Sequence, residues 1–146
     1  MANEGNKVQG DVSGIWHNQL GSTMEINLNK DGTSFSGTYS NNAPDSPPLI
    51  ESLIGSVGSS GSPATLGFTV NFEGGRFTTS WSGQYFNNDG DEVLLTTWLM
   101  TANLSDANEY WESTNVGQDR FTRQPQAQKK GRKSLVSQHL AKMAKK

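Results

Sequence analysis

Indole and polar side chains recur at even spacings along this chain: Trp16 with Asn18, Thr79 with Trp81, Trp98 with Met100, and Trp111 with Asp119. Residues separated by an even number share one face of an extended strand, so each set joins the lining of one side. An amide, a hydroxyl and a carboxylate set among indoles can grip a small ligand. Nothing beside them suggests bond-breaking chemistry. There is no Gly-x-Ser-x-Gly and no phosphate-cradling glycine loop. His17 alternates away from Asn18 and His139 lies near the end of the chain, so no Ser-His-Asp set is expected. With two histidines and no cysteine, a protein-built zinc site is not expected either. A tryptophan in a β-protein is most often plain core, and Trp16 is read that way, as the residue closing a barrel floor.

The elements that must carry these residues are strands. The run Thr79-Ser80-Trp81-Ser82-Gly83-Gln84-Tyr85 places Phe77, Thr79 and Trp81 on an apolar face and Thr78, Ser80 and Ser82 on a wet one. A second run, residues 92–101, follows across residues 86–91, whose Asp-Gly step marks a hairpin turn. Upstream, residues 14–20 put Trp16, Asn18 and Leu20 on one side, and an asparagine between two apolar neighbours on an inward face signals a polar interior site. Residues 23–29 alternate Met24, Ile26 and Leu28 with polar partners. Residues 34–40, 49–57 and 64–72 supply three more strands, separated by an Asn/Asp/Pro loop at 41–48 and a Gly/Ser connection at 58–63. A turn at 73–76 leads into the sixth strand. After a loop at 102–108, residues 109–122 are read as an eighth strand carrying Trp111 and Asp119.

Eight consecutive strands of this length predict an all-β fold, an eight-stranded antiparallel up-and-down β-barrel with room inside for one small ligand. The 146 residues suffice for one domain with a core, and the 16 glycines fit tight turns better than a bundle. Residues 1–13 are polar and aperiodic and are read as an N-terminal arm, 14–123 as the barrel, and 124–146 as a tail that is disordered or a short helix capped by Ser134. The net charge of −2 hides an asymmetry: all 14 acids precede residue 120, while seven of the 12 basic residues fall in 124–146. That tail could dock on an acidic surface, this barrel included. No run is long and apolar enough for a membrane span, and no leader is expected in the chain as given.

Six blocks then resemble the avidin/streptavidin family, in the family's order and at compatible spacing: residues 14–23, Gly37-Thr38-Tyr39, residues 66–72, residues 79–85, Thr97-Trp98-Leu99, and Trp111-Glu112-Ser113-Thr114 with Val116-Gly117-Gln118-Asp119. The resemblance implies a barrel that binds biotin at one open end without catalysis, as a homotetramer or a dimer, and favours secretion. It implies no specific nucleic acid partner. By position, it implies that Asn18, Ser22 and Tyr39 donate to the ureido oxygen, and that Asp119 and Asn41 accept from the two ureido N–H groups. Thr79 would approach the sulfur, and Phe72, Trp81, Trp98, Met100 and Trp111 would form the apolar cage, with Trp111 reaching into a neighbouring subunit's site.

This chain departs from the family in three places. Phe72 stands where a tryptophan is common, Phe77 falls where a serine commonly meets biotin's carboxylate, and the loop at 41–48 is short and proline-rich. The expected outcome is tight binding that depends less on a free carboxylate. Val93, Leu95, Thr97 and Leu99 lie opposite Trp98, an apolar outer row that suits a subunit interface. Competing readings are a small barrel carrier or enzyme for a different apolar ligand, and an interaction protein whose pocket is filled by its own tail.

Overall fold

A computed structural model describes residues 11–41, 49–61 and 63–127. Eight strands follow one another: β1 (Gly14–His17), β2 (Thr23–Leu28), β3 (Ser34–Asn41), β4 (Leu49–Val57), β5 (Ala64–Phe72), β6 (Phe77–Asn88), β7 (Asp91–Ala102) and β8 (Thr114–Thr122). Each pairs antiparallel with its neighbours in sequence, and β8 returns to β1, so the sheet closes into a barrel. Alternation decides which side chains enter. In β5, Ala64, Leu66, Phe68, Val70 and Phe72 are buried while the residues between them are not, and Met24 and Ile26 do the same in β2. The up-and-down topology read from the sequence is the one observed.

Five local readings change. The first strand, read over residues 14–20, ends at His17, and residues 18–22 turn the chain. The β6–β7 connection is not a six-residue loop: β6 continues to Asn88 and β7 starts at Asp91. Asp89 and Gly90 alone make the turn, with φ of 54° and 95°. Two central residues at positive φ match the right-handed twist of the strands they join, and the Asn87 carboxamide accepts the Gly90 N–H at 2.8 Å.

The eighth strand begins at Thr114, later than expected, because Ala107–Glu112 forms 3-10 turns. The Asp106 carboxylate accepts the Asn108 N–H at 2.9 Å and its carbonyl the Glu109 N–H at 3.1 Å. These local bonds satisfy amides that a strand would have needed a neighbour for. Trp111 is therefore not on β8, and its shared parity with Asp119 does not hold.

The arm ends earlier than residue 13: Val12 is fully buried and its carbonyl accepts the Trp16 indole N–H at 2.9 Å. Val93, placed on the outer row, is buried, whereas Leu95 and Leu99 on that row are exposed.

At the barrel's closed end Trp16 meets Tyr85 edge to face at 6.2 Å, and the Arg123 guanidinium lies 3.8 Å from the Trp16 ring centroid. Arg123 also donates to the Ser13 carbonyl at 2.8 Å and pairs with Glu92 at 3.0 Å. From there an aromatic column rises: Phe35 against Phe68, Phe68 stacked on Trp81 at 4.8 Å, Trp81 against Tyr39 at 5.1 Å, and Tyr39 edge-on to Phe72 at 5.7 Å. Such rings bury roughly 150–250 Å² each, so the column supplies much of the apolar burial that holds the sheet closed.

Closure is uneven. β6 and β7 pair without a break from Phe77↔Ala102 to Asn88↔Asp91, but β1 and β8 share the single register pair His17↔Thr122. Side chains complete that seam. The Gln126 amide donates to the His17 and Arg120 carbonyls at 2.9 and 2.8 Å, and Gln19 bridges to β8 as described next.

Candidate functional site

The open end of the barrel is built around the turn that ends β1. The Asn18 side-chain oxygen accepts the N–H groups of Leu20 and Ser22 at 3.0 and 2.9 Å, and the backbone closes with Asn18 N–H to the Ser22 carbonyl at 3.0 Å. With its oxygen used by the backbone, the amide must send its NH2 inward. It donates there to the Tyr39 hydroxyl at 3.4 Å. Ser22 also bonds to that hydroxyl. Asn18, Ser22 and Tyr39 are all buried, so two groups from the turn after β1 and one from β3 converge. Burial, and then the charge of Asp119, push the Tyr39 phenol upward. It stays a neutral O–H donor at any working pH.

Asp119 projects inward from β8. Its Oδ2 accepts the Trp81 indole N–H at 2.8 Å and its Oδ1 accepts the Gln19 amide at 2.8 Å. The nearby Asn18 amide and Trp98 indole also favour its charged form. Desolvation raises the carboxyl above its ordinary 3.8, and these donors pull the other way. The Thr96 hydroxyl fixes the strand itself through the Asp119 carbonyl at 2.9 Å.

Thr79, from β6 beside Trp81, carries the one buried side-chain oxygen or nitrogen without a hydrogen-bond partner among the described residues. Leaving a hydroxyl so costs about 1–3 kcal/mol, which folding alone does not recover.

Apolar residues wall the same space. Phe72 and Met100 are fully buried, Trp81 is buried and Trp98 is half-buried. Trp98 packs against Gly117, its partner across β7–β8, where a methyl group would come within 2.1 Å of the ring. Only glycine admits that approach. Phe77 pairs with Phe72 and is buried, so it adds apolar bulk at the upper end of the barrel. Asn41 ends β3 and is buried. The rest of the 41–48 loop lies outside the described residues, as does the tail from 128 onward.

The structure thus brings together Asn18, Ser22, Tyr39, Thr79, Trp81, Trp98 and Asp119, with Phe72, Met100 and Asn41 in the same buried lining. It does not bring Trp111 to them within one chain. Trp111 is 69% exposed on its 3-10 segment, beside an exposed Tyr110. Two roles escaped the sequence reading. Trp81 holds the carboxylate through its N–H as well as forming wall, and Gln19, set on the outer face by the alternation expected to run to Leu20 but observed in a turn, reaches a residue 100 positions away. Its adjacency to Asn18 was the only available signal. Among the described residues no cluster of three or more His, Asp or Glu is placed to hold a metal, and no helix is long and apolar enough to cross a membrane.

Known proteins share this sequence pattern and fold. The family model described as Avidin family matches residues 6–124. Avidin of Gallus gallus is 36% identical over 120 residues, 77% of each chain. Among solved structures, Xenavidin superposes with a TM-score of 0.72 at 33% identity, covering 80% of this chain and 99% of its own. A biotin binding protein from chicken superposes with a TM-score of 0.72 at 32% identity, covering 80% and 98%.

Proposed function

This chain belongs to the avidin family, and from that membership we propose that it binds biotin tightly and without catalysis in the open end of its barrel. The observation that carries the reading is the buried set of Asn18, Ser22, Tyr39 and Asp119 together with the unpartnered Thr79 hydroxyl. Biotin's ureido group is a planar carbonyl flanked by two N–H groups. It needs donors converging on one side and acceptors on the other. Asn18, Ser22 and Tyr39 are the donors, and three hydrogen bonds to one oxygen favour its polarised form. Asp119 accepts from one ureido N–H and Asn41 from the other, while the Thr79 hydroxyl meets the thioether. A lipid would offer the buried Thr79 hydroxyl no partner, leaving its cost of about 1–3 kcal/mol unrecovered.

Phe72, Trp81, Trp98 and Met100 wall the bicyclic ring. Trp111, exposed on one chain, completes the cage of a neighbouring subunit in a homotetramer. Ile50 and Ile54 on β4, with Leu95, Leu99 and Val116 on β7 and β8, give such an assembly apolar contact surface. Secretion fits a protein that sequesters a vitamin from its surroundings. Calorimetric titration with biotin, followed in parallel by tryptophan fluorescence, tests the reading. One saturable site per chain is expected, and no heat or fluorescence change at micromolar protein defeats it.

A further inference from the structure

The β1–β8 seam and the acceptor carboxylate meet in one side chain. Gln19 Oε1 accepts the Arg120 N–H at 2.9 Å, and its Nε2 donates to the Gln118 carbonyl at 3.2 Å and to Asp119 Oδ1 at 2.8 Å. The Arg120 N–H and Gln118 C=O flank Asp119 on the strand edge. They are the groups a neighbouring strand would satisfy, but β1 pairs with β8 only at His17↔Thr122. The Gln19 amide therefore acts as a substitute peptide unit, and its second N–H turns inward onto the carboxylate. No other residue type supplies one acceptor and two donors on a planar end at that reach.

We propose that Gln19 is the positioning residue for Asp119, orienting the carboxylate as a ligand acceptor by holding it from across the barrel's weakest join. Gln19 is not assigned any contact with ligand. It acts through Asp119, whose other oxygen is held by Trp81. The lone pairs that remain on the carboxylate are then aimed by two rigid partners, an indole and a bridged amide. A carboxylate held by Trp81 alone would swing about its χ angles, and a ligand would have to order it on binding.

Two consequences separate this role from a purely structural one. Without the Gln19 donor, the charged form of Asp119 loses a stabilising bond. Among the described residues, Tyr39 is the titratable group facing Asp119 from the other elements. β6 and β7 present Trp81, Trp98 and Thr96, β1 and its following turn present Asn18 and Gln19, and Arg120 extends from the opposite face of β8. With Tyr39 held neutral, proton uptake at the site reports on Asp119. Second, any effect of Gln19 on ligand must vanish once Asp119 cannot serve as a charged acceptor.

The test uses the full chain with Gln19→Leu, Gln19→Glu, Asp119→Asn and the Gln19→Leu/Asp119→Asn double variant. In the ligand-free protein, the Trp81 indole N–H resonance reports protonation of Asp119. Gln19→Leu should move its midpoint to higher pH. Gln19→Glu keeps an acceptor for the Arg120 N–H and adds a like charge, so it should move the midpoint further, and it serves if the leucine variant does not fold. A midpoint unmoved in a folded variant overturns the proposal.

The ligand arm rests on the biotin reading. Gln19→Leu should speed biotin dissociation about tenfold or more in the parent, the scale of a lost hydrogen bond to a charged group, and less than about twofold in the Asp119→Asn background. Equal losses in both backgrounds would mean that Gln19 only closes the seam. Absence of biotin binding by the parent chain would overturn the binding reading instead, and the indole titration would still decide the role of Gln19.

Discussion

Asp119 is pulled in two directions that pH separates. Its folded carboxyl titrates above 3.8 because burial disfavours the charge. The ligand-free fold therefore gains from this group below 3.8, and the gain is lost as pH rises through the raised value. The proposed biotin contact would run the other way, since it uses the ionised Asp119 carboxylate as an acceptor. Biotin dissociation should accelerate as pH falls through that raised value, and the trend should flatten in Asp119→Asn. Stopped-flow release of a fluorescent biotin across an acid series measures both.

Thr79→Val makes a second residue-level case. It removes a buried unpartnered hydroxyl, so the ligand-free protein should gain about 1 kcal/mol in denaturant unfolding while biotin affinity drops. Phe77 gives a third. With an aromatic ring in place of a carboxylate-binding hydroxyl, biotin and a biotin amide should show calorimetric affinities within about tenfold of each other, a difference of ~1.4 kcal/mol.

Within strands, inward facing was largely legible from alternation, and Thr79, Trp81, Trp98 and Met100 fall on the expected side; Asn18 is buried as expected but by the turn after β1, not by a strand. What those residues do to one another was not. The Trp81–Asp119 bond joins residues 38 positions apart and the Gln19–Asp119 bond residues 100 apart, and no local pattern encodes such distances.

At the scale of strands and turns, glycine contacts and carboxylate caps make the geometry testable. Gly117→Ala puts a methyl group into the Trp98 ring, and an indole packed against the barrel interior cannot yield without opening the cage. The variant should lose about 1–3 kcal/mol of stability and bind biotin more weakly, read by thermal unfolding and calorimetry together. In the β2–β3 turn, the Asp31 carboxylate accepts from the backbone of Thr33 and Ser34 and from the Ser34 hydroxyl, at 2.9, 2.8 and 2.6 Å. These bonds hold its pKa down to about 2. Its contribution is therefore whole above the ordinary 3.8 and disappears as pH falls through about 2. The melting-temperature gap between parent and Asp31→Ala should close over that window.

Strand order and most strand limits were readable because period-two runs are bounded by Gly, Asn, Asp and Pro. The misreadings share a cause. Asp106 and the Asp89-Gly90 pair decide local backbone through their own hydrogen bonds and φ angles, which hydrophobic alternation does not register. Hence the eighth strand begins at Thr114, five residues after the 109 that alternation predicts, and the β6–β7 turn is narrower than composition predicts.

For the whole molecule, the exposed Trp111 and Tyr110 and the apolar residues on β4, β7 and β8 are costly on an isolated barrel. Multi-angle light scattering should return four chains, and Trp111→Lys should lower biotin affinity in that assembly while leaving each barrel folded by circular dichroism. A monomer that binds biotin as tightly as the assembly would remove the shared-tryptophan idea.

The barrel's circumference is also mechanically unequal. A load pulling at the two strands that meet at His17↔Thr122 would have to break one backbone rung and a few amide clasps, whereas shearing β6 from β7 would have to break an uninterrupted ladder. In a single-molecule tether the first rip should peel β1 away, and because Asn18 leaves with it, a bound vitamin should be released before the remaining seven strands unravel.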